Sequence, residues 1–218
     1  MKLRTLVKRQ GITNLALVPA VLIILSASTG WSQISIPLIN PGFQSSSDGN
    51  SGFANVDGWF NTGSTYTDSG ITSANFFQNN TPPLAFVKAG DDGAVQLTQY
   101  FMVNADQITL TWDAVNVFGA TDQAVFLFSL SPDGQSFAFL NGNQSLVTDT
   151  ESQYSLSYTV TPADQGNIIG IGFGAGSTGY VGYDNFSLQV TPAPEPATVG
   201  ILAIGAFGAV LAYRRKSA

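Results

Sequence analysis

The sequence predicts an all-β fold, an antiparallel β-sandwich, over residues 33–191. Two observations carry this. Segments rich in β-branched and aromatic residues alternate polar with apolar positions or run apolar throughout, and no helical periodicity of useful length interrupts them. The composition agrees: 23 Gly, 10 Pro and 11% aromatic residues suit short strands joined by turns better than a helix bundle.

The elements follow in chain order. Residues 1–10, MKLRTLVKRQ, are cationic, and residues 15–25, LALVPAVLIIL, are apolar; Ser26, Ala27, Ser28, Thr29 and Gly30 are small. This is the layout of a secretory signal peptide, assigned to residues 1–32 as an N-terminal signal helix. The apolar run is short for a membrane span, which needs about 20 residues; an uncleaved N-terminal anchor is the alternative. Nine strands are then expected at Ile34–Ile39, Leu84–Val87, Val95–Val103, Gln107–Val117, Gln123–Leu130, Ser136–Leu140, Tyr154–Val160, Asn167–Phe173 and Val181–Val190. Turns are expected at Asp91-Asp92-Gly93, Ser131-Pro132-Asp133-Gly134, Asn141-Gly142-Asn143, Thr161-Pro162-Ala163-Asp164 and Gly174–Gly179. Gln44–Gln78 reads as long surface loops with one short strand near Ala54–Phe60.

The C-terminal piece, residues 192–218, is different in kind. Pro192, Pro194 and Pro196 stop the last strand. An apolar run of 16 residues, Thr198–Tyr213, follows. At 1.5 Å per residue it spans roughly 24 Å, a little short of the roughly 30 Å hydrocarbon core. Snorkelling of Arg214, Arg215 and Lys216 makes up the difference. Residues 198–213 are therefore expected to form a transmembrane helix with a cytoplasmic C-terminus.

Charge excludes several classes of function. Between residues 33 and 191 there are thirteen acidic residues and one cation, Lys88. Such a body repels polyphosphate, so nucleic acid is excluded as a partner. The chain has no His and no Cys, which removes His-based triads, thiol nucleophiles, zinc and iron–sulfur sites. A metal would need oxygen ligands, as calcium does. Glu151 and Glu195 are the only glutamates, Asp113, Asp122 and Asp149 are scattered, and a serine nucleophile would lack its base. The chain is expected not to be an enzyme.

Two resemblances add to this reading. Pro194-Glu195-Pro196, the apolar run and the Arg214-Arg215-Lys216 cluster stand in order at the C-terminus. They resemble the PEP-CTERM sorting signal. The resemblance implies an exosortase-type membrane protease as partner, transient or lasting anchorage in the inner membrane, and delivery to the cell surface or extracellular matrix of a Gram-negative bacterium. A plain single-pass anchor with a Pro-rich stalk is the alternative. Leu38-Ile39-Asn40-Pro41-Gly42-Phe43-Gln44 with the later Trp59, and Gly182-Tyr183-Asp184-Asn185-Phe186-Ser187-Leu188, resemble the opening and closing strands of galactose-binding-like jelly rolls found among carbohydrate-binding modules.

The second resemblance implies a structural calcium ion tying the first strand to the last. Asp184 is the first candidate ligand. Gln44 stands where an acidic residue is usual and offers a neutral carbonyl only, which weakens such a site. The alternative is that Asp184 and Asn185 cap strand ends. Asp91-Asp92 reads as a solvated turn. Sugar binding asks for aromatic faces beside amides; the candidates are Trp59, Tyr66, Phe77 and Tyr180, with core burial as the alternative for each. The function expected is an exported, non-enzymatic surface or matrix protein that binds or associates with exopolysaccharide. A self-associating surface protein without sugar recognition and a glycoside hydrolase are the alternatives.

Overall fold

The computed structural model describes residues 32–44, 52–72 and 83–194. Residues 1–31 of the expected signal peptide, Phe77, Glu195, Pro196, the apolar run 198–213 and Arg214, Arg215 and Lys216 lie outside the described residues.

Eleven strands are present among the described residues: β1 (Ile34–Ile36), β2 (Phe60–Asn61), β3 (Gly70–Thr72), β4 (Leu84–Lys88), β5 (Ala94–Phe101), β6 (Gln107–Phe118), β7 (Asp122–Leu130), β8 (Phe137–Leu146), β9 (Ser152–Thr159), β10 (Ile168–Ala175) and β11 (Tyr180–Thr191). They form two sheets. One runs β3-β4-β11-β6-β9 with β1 also on β11, and the other runs β2-β5-β10-β7-β8. Every strand pairing is antiparallel. This is the expected antiparallel β-sandwich in a jelly-roll arrangement.

Side-chain alternation shows why these segments pair as they do. Ile108, Leu110, Trp112 and Ala114 of β6 are buried, and Val125 and Leu127 of β7 meet Ile169, Ile171 and Phe173 of β10 in the same core. Strands of period two thus deliver one apolar row each to the space between the sheets. The largest rings gather at one place. Phe173 lies 5.0 Å from Trp59, 5.4 Å from Phe186, 4.9 Å from Tyr183 and 5.8 Å from Phe43, centroid to centroid.

Three expectations need correction. Asn141-Gly142-Asn143 is not a turn: it lies inside β8, paired with Leu127, Phe126 and Val125. The long apolar β7 needs a partner along its whole length, and this pairing overrides the local turn chemistry. Within the loop expected over 44–78, Gly70–Thr72 forms β3 on the edge of β4. The short strand expected near Ala54–Phe60 is instead Phe60–Asn61, because the 53–59 segment spends its backbone on turns, with Val56 N–H donating to Phe53 and Trp59 N–H to Val56.

Phe173 sits at the centre of five rings. Phe173→Ala is expected to cost about 3–5 kcal/mol, the range for emptying a packed aromatic site. Urea unfolding followed by Trp fluorescence measures it, since Trp59 is the neighbour that would report the cavity.

Candidate functional site

The outer face of the five-stranded sheet is the most distinctive surface. Outward positions in register form apolar rungs. Phe101, Ile168, Leu130 and Phe137 make one, and Leu97, Gly170, Phe128 and Phe139 the next; Val95, Gly172 and Phe126 make a third, with Phe60 paired beside Val95. Phe60, Phe137 and Phe139 are 59%, 62% and 63% exposed. Phe128 lies 5.0 Å from Phe137, and Phe126 6.3 Å from Phe139.

Glycine makes the floor of this face. A Cβ at Gly170 would stand 2.1 Å from the Phe128 ring, and one at Gly172 2.3 Å from the Phe126 ring. The absence of side chains on β10 lets both rings lie across the neighbouring strand. A shallow groove of about 500 Å³ runs along the face, lined by Phe60, Val95, Leu97, Phe126, Phe128 and Phe137, with Asn61 and Thr62 at its β2 side. Asn143 and Gln144 border a second hollow beside Phe126 and Phe139. The exposed rings and Leu97 present roughly 500 Å² of apolar surface, the upper end of what monomers leave open. None of the residues lining either hollow is charged.

The residues singled out from sequence are placed elsewhere. Trp59 is 2% exposed; its ring is part of the core and its Nε1–H donates to the Asn40 carbonyl at 3.2 Å, so it offers no face to a ligand. Tyr66 is half-buried against Phe53, with its hydroxyl donating to the Gly93 carbonyl, and burial raises its pKa. Tyr180 donates to Asp68 at 2.6 Å, a bond that together with desolvation pushes its pKa up to about 12. These three do not converge on one platform. The exposed phenylalanines of β2 and β8, which do, were not among the expected site residues.

Asp184 and Gln44 do meet, around Gly42. A Cβ on Gly42 would lie 3.2 Å from Asp184 Oδ1, 3.6 Å from Asn185 Oδ1 and 3.8 Å from Gln44 Cγ. The opening segment is fastened to the closing strand by a protein contact, in which Phe186 N–H donates to the Pro41 carbonyl at 3.1 Å. The donor set is poor for calcium, which takes six to eight oxygens. The Pro41 and Asn40 carbonyls already accept protein N–H groups, Asp184 Oδ1 accepts Asn185 N–H, and Asp113 Oδ2 accepts Asn185 Nδ2–H. No group of three or more acidic side chains converges among the described residues. Asn40 O, Pro41 O, Asp184 Oδ1 and Asp113 Oδ2 thus already serve protein hydrogen bonds.

Desolvation, with the Glu151 and Asp113 charges adding to it, raises the Asp184 pKa to about 7. The folded state then binds this proton more tightly than the unfolded chain. Its contribution therefore grows as pH falls through 7 and is lost above it.

Asp91 is not a merely solvated turn residue. Its carboxylate accepts from Thr67 N–H and Oγ1–H, Asp68 N–H and Ser69 Oγ–H, at 2.6–3.0 Å. Burial alone would raise its pKa; the Ser69, Asp68 and Thr67 hydrogen bonds outweigh that and lower it. Asp92 accepts Thr65 N–H at 2.7 Å. The pair staples the 62–69 loop to the β4–β5 turn.

Pro192, Ala193 and Pro194 leave β11 as an extended tail, with Ala193 N–H donating to Asp106 Oδ1 at 3.0 Å. Comparison of the sequence with known families finds the PEP-CTERM protein-sorting motif over residues 192–216. The chain carries a PEP-CTERM sorting motif. This motif marks an exported protein sorted to the cell surface through a membrane-anchored tail, and implies exosortase processing. Comparison with the curated proteins finds no match.

Among solved structures, a Stig cyclase from Fischerella sp. TAU, in complex with an indole compound, superposes with a TM-score of 0.57 at 18% identity, covering 75% of this chain and 100% of the cyclase. The CBM22-1 xylan-binding domain from Paenibacillus barcinonensis gives 0.44 at 13% identity, over 74% of this chain and 95% of that domain. A CBM4 domain gives 0.40 at 17%, over 63% and 99%. At 18% identity the likeness to the cyclase is one of fold.

Two outcomes are expected here. Asp184→Asn should raise the melting temperature at pH 8 and flatten its dependence between pH 8 and 5, read by differential scanning calorimetry. Asp91→Ala should destabilise by about 1–2 kcal/mol and speed amide exchange at residues 65–69; unchanged exchange there would refute the staple.

Proposed function

We propose that this PEP-CTERM protein is a non-enzymatic component of the surface or extracellular matrix of a Gram-negative bacterium, and that it associates with exopolysaccharide through the outer face of the five-stranded sheet. One observation carries the reading: Phe60, Phe137 and Phe139 are exposed beside the Phe126 and Phe128 rings that lie over Gly172 and Gly170, with amide and hydroxyl side chains at the rim. Pyranose rings present apolar C–H faces to aromatic rings, and their equatorial hydroxyls reach amides at the margin. Asn61, Thr62, Asn143 and Gln144 occupy that margin.

The non-catalytic reading rests on where the acids are. Among the described residues no carboxylate lines the aromatic face, where a general acid for glycoside hydrolysis would have to stand. Asp184, whose pKa suits a general acid, belongs to the other sheet and is held within the Gly42–Asn185 junction.

The exposed apolar area also favours a second reading, in which the same face pairs with another copy and the protein coats the cell by self-association. Retention of purified protein on immobilised neutral and acidic polysaccharides separates the two. Binding is expected, and Phe137→Ala with Phe139→Ala is expected to weaken it at least about tenfold, as loss of two stacking contacts would, while leaving the melting temperature nearly unchanged. Retention on no polysaccharide, together with concentration-dependent assembly that the same double variant abolishes, would establish self-association instead.

A further inference from the structure

The two ends of the sandwich differ in charge, and the tail leaves from one of them. Among the described residues, Asp68, Asp91, Asp92, Asp122, Asp149 and Glu151 belong to the turns at the end where β4, β6 and β8 finish. The opposite end carries the 102–106 loop, the 131–136 turn, the 160–167 loop and the departing residues 192–194. Of the three acids that the described residues place there, Asp106 and Asp164 are buried. Asp106 accepts from the Tyr100 hydroxyl and from Ala193 N–H; Asp164 accepts from the Tyr158 and Thr161 hydroxyls. Asp133 alone is exposed.

This quiet end is laced into one surface. Ala105 N–H donates to Val160, Val160 N–H to Asp106, Met102 N–H to Asn167 and Gly166 N–H to Met102. Phe101 and Val103 stand out from it, 54% and 53% exposed.

Chain length decides what meets this surface. The tail is clamped at Ala193, and the apolar run begins at Thr198. Five residue steps reach at most roughly 17 Å, of which the headgroup layer takes about 6 Å. The exit end is therefore held within about a Debye length of the lipid headgroups. The twelve-residue β6 sets the acidic turns about 40 Å further out. An anionic leaflet repels exposed carboxylates at the first distance and not at the second.

We propose that, while the tail is uncut, the end formed by the 102–106 and 160–167 loops rests on the phospholipid surface with Phe101 and Val103 entering the headgroup layer. This rests on the tail being the membrane anchor. The chain has no cysteine, so one introduced residue is a unique label site. Full-length protein carrying a bimane at Asn104→Cys or at Ser64→Cys, the latter in the loop stapled to the acidic end, is reconstituted in phosphatidylethanolamine–phosphatidylglycerol vesicles containing nitroxide-headgroup lipid.

Strong quenching at position 104 and little at 64 is expected. Adding Phe101→Ser and Val103→Ser should bring the former down to the latter. A flexible Gly/Ser spacer inserted after Pro194, which leaves the folded body untouched, should not abolish the difference. Equal quenching at the two labels, shielding of position 104 without lipid quenching, or loss of the difference in the spacer variant would each overturn the seat. Failure of the protein to float with the vesicles would remove the anchor as well, and flotation separates that outcome from the others.

Discussion

Strand β11 is paired on both edges, and the sandwich is organised around how it does so. Along one edge it runs with β6 from Val181 to Thr191, with a register shift between Asp184 and Ser187. Along the other, β4 covers Tyr180–Tyr183 and β1 covers Leu188–Val190. The extra residue at the shift changes the phase of the strand: Val181 and Tyr183 are buried before it, Phe186, Leu188 and Val190 after it. Without that bulge Phe186 would face outward and the rings around Phe173 would lose a member. The bulge places Asn185 at φ 52°, and the segment docking against it places Asn40 at 49° and Phe43 at 56°. Three left-handed residues at one junction are held there by the Phe186–Pro41 hydrogen bond and the buried rings of Phe43 and Phe186.

The two sheets carry different surfaces. The six-stranded sheet carries the polar cluster of Asp113, Asp184 and Asn185, whose groups bond to one another. The five-stranded sheet carries the rings. Its glycines at 170 and 172 weaken β10 as a strand but are flanked by β5 and β7 on both sides, so the ladder survives. The aromatic face is thereby built on the interior of a sheet rather than on loops, while the loops at the acidic end are tied down by Asp91, Asp92 and Asp122.

Much of this was legible in the residues. Alternating or continuous apolar runs rich in β-branched and aromatic residues located nine of the strands, and the tail was readable because its parts coincide in order. The aromatic face was not. Asp122–Leu130 is almost continuously apolar, and a continuous run reads as buried on both sides. Nothing in the run says that its outer side lacks a cover. The available signal was Gly170 and Gly172, spaced by two within a strand, which marks a place where another group approaches the backbone closely. Trp59 follows Val56 in a strand-like register, which reads as burial, and it is the ring that closes the core between Phe43, Phe173 and Phe186. Asp91 reads as solvent-facing because its four donors come from residues more than twenty positions away.

The tail depends on the body more closely than a linker would. Asp106 is buried, and Tyr100 and Ala193 supply its donors, so the position where the chain departs is set only once β5, β6 and β11 are together. An unfolded body would leave the sorting motif on a long flexible tether, whose ends explore space in proportion to the square root of length. Folding shortens that tether to the few residues after Ala193. The same hydrogen bond that satisfies a buried carboxylate therefore fixes where the chain leaves the sandwich, at the start of the matched motif.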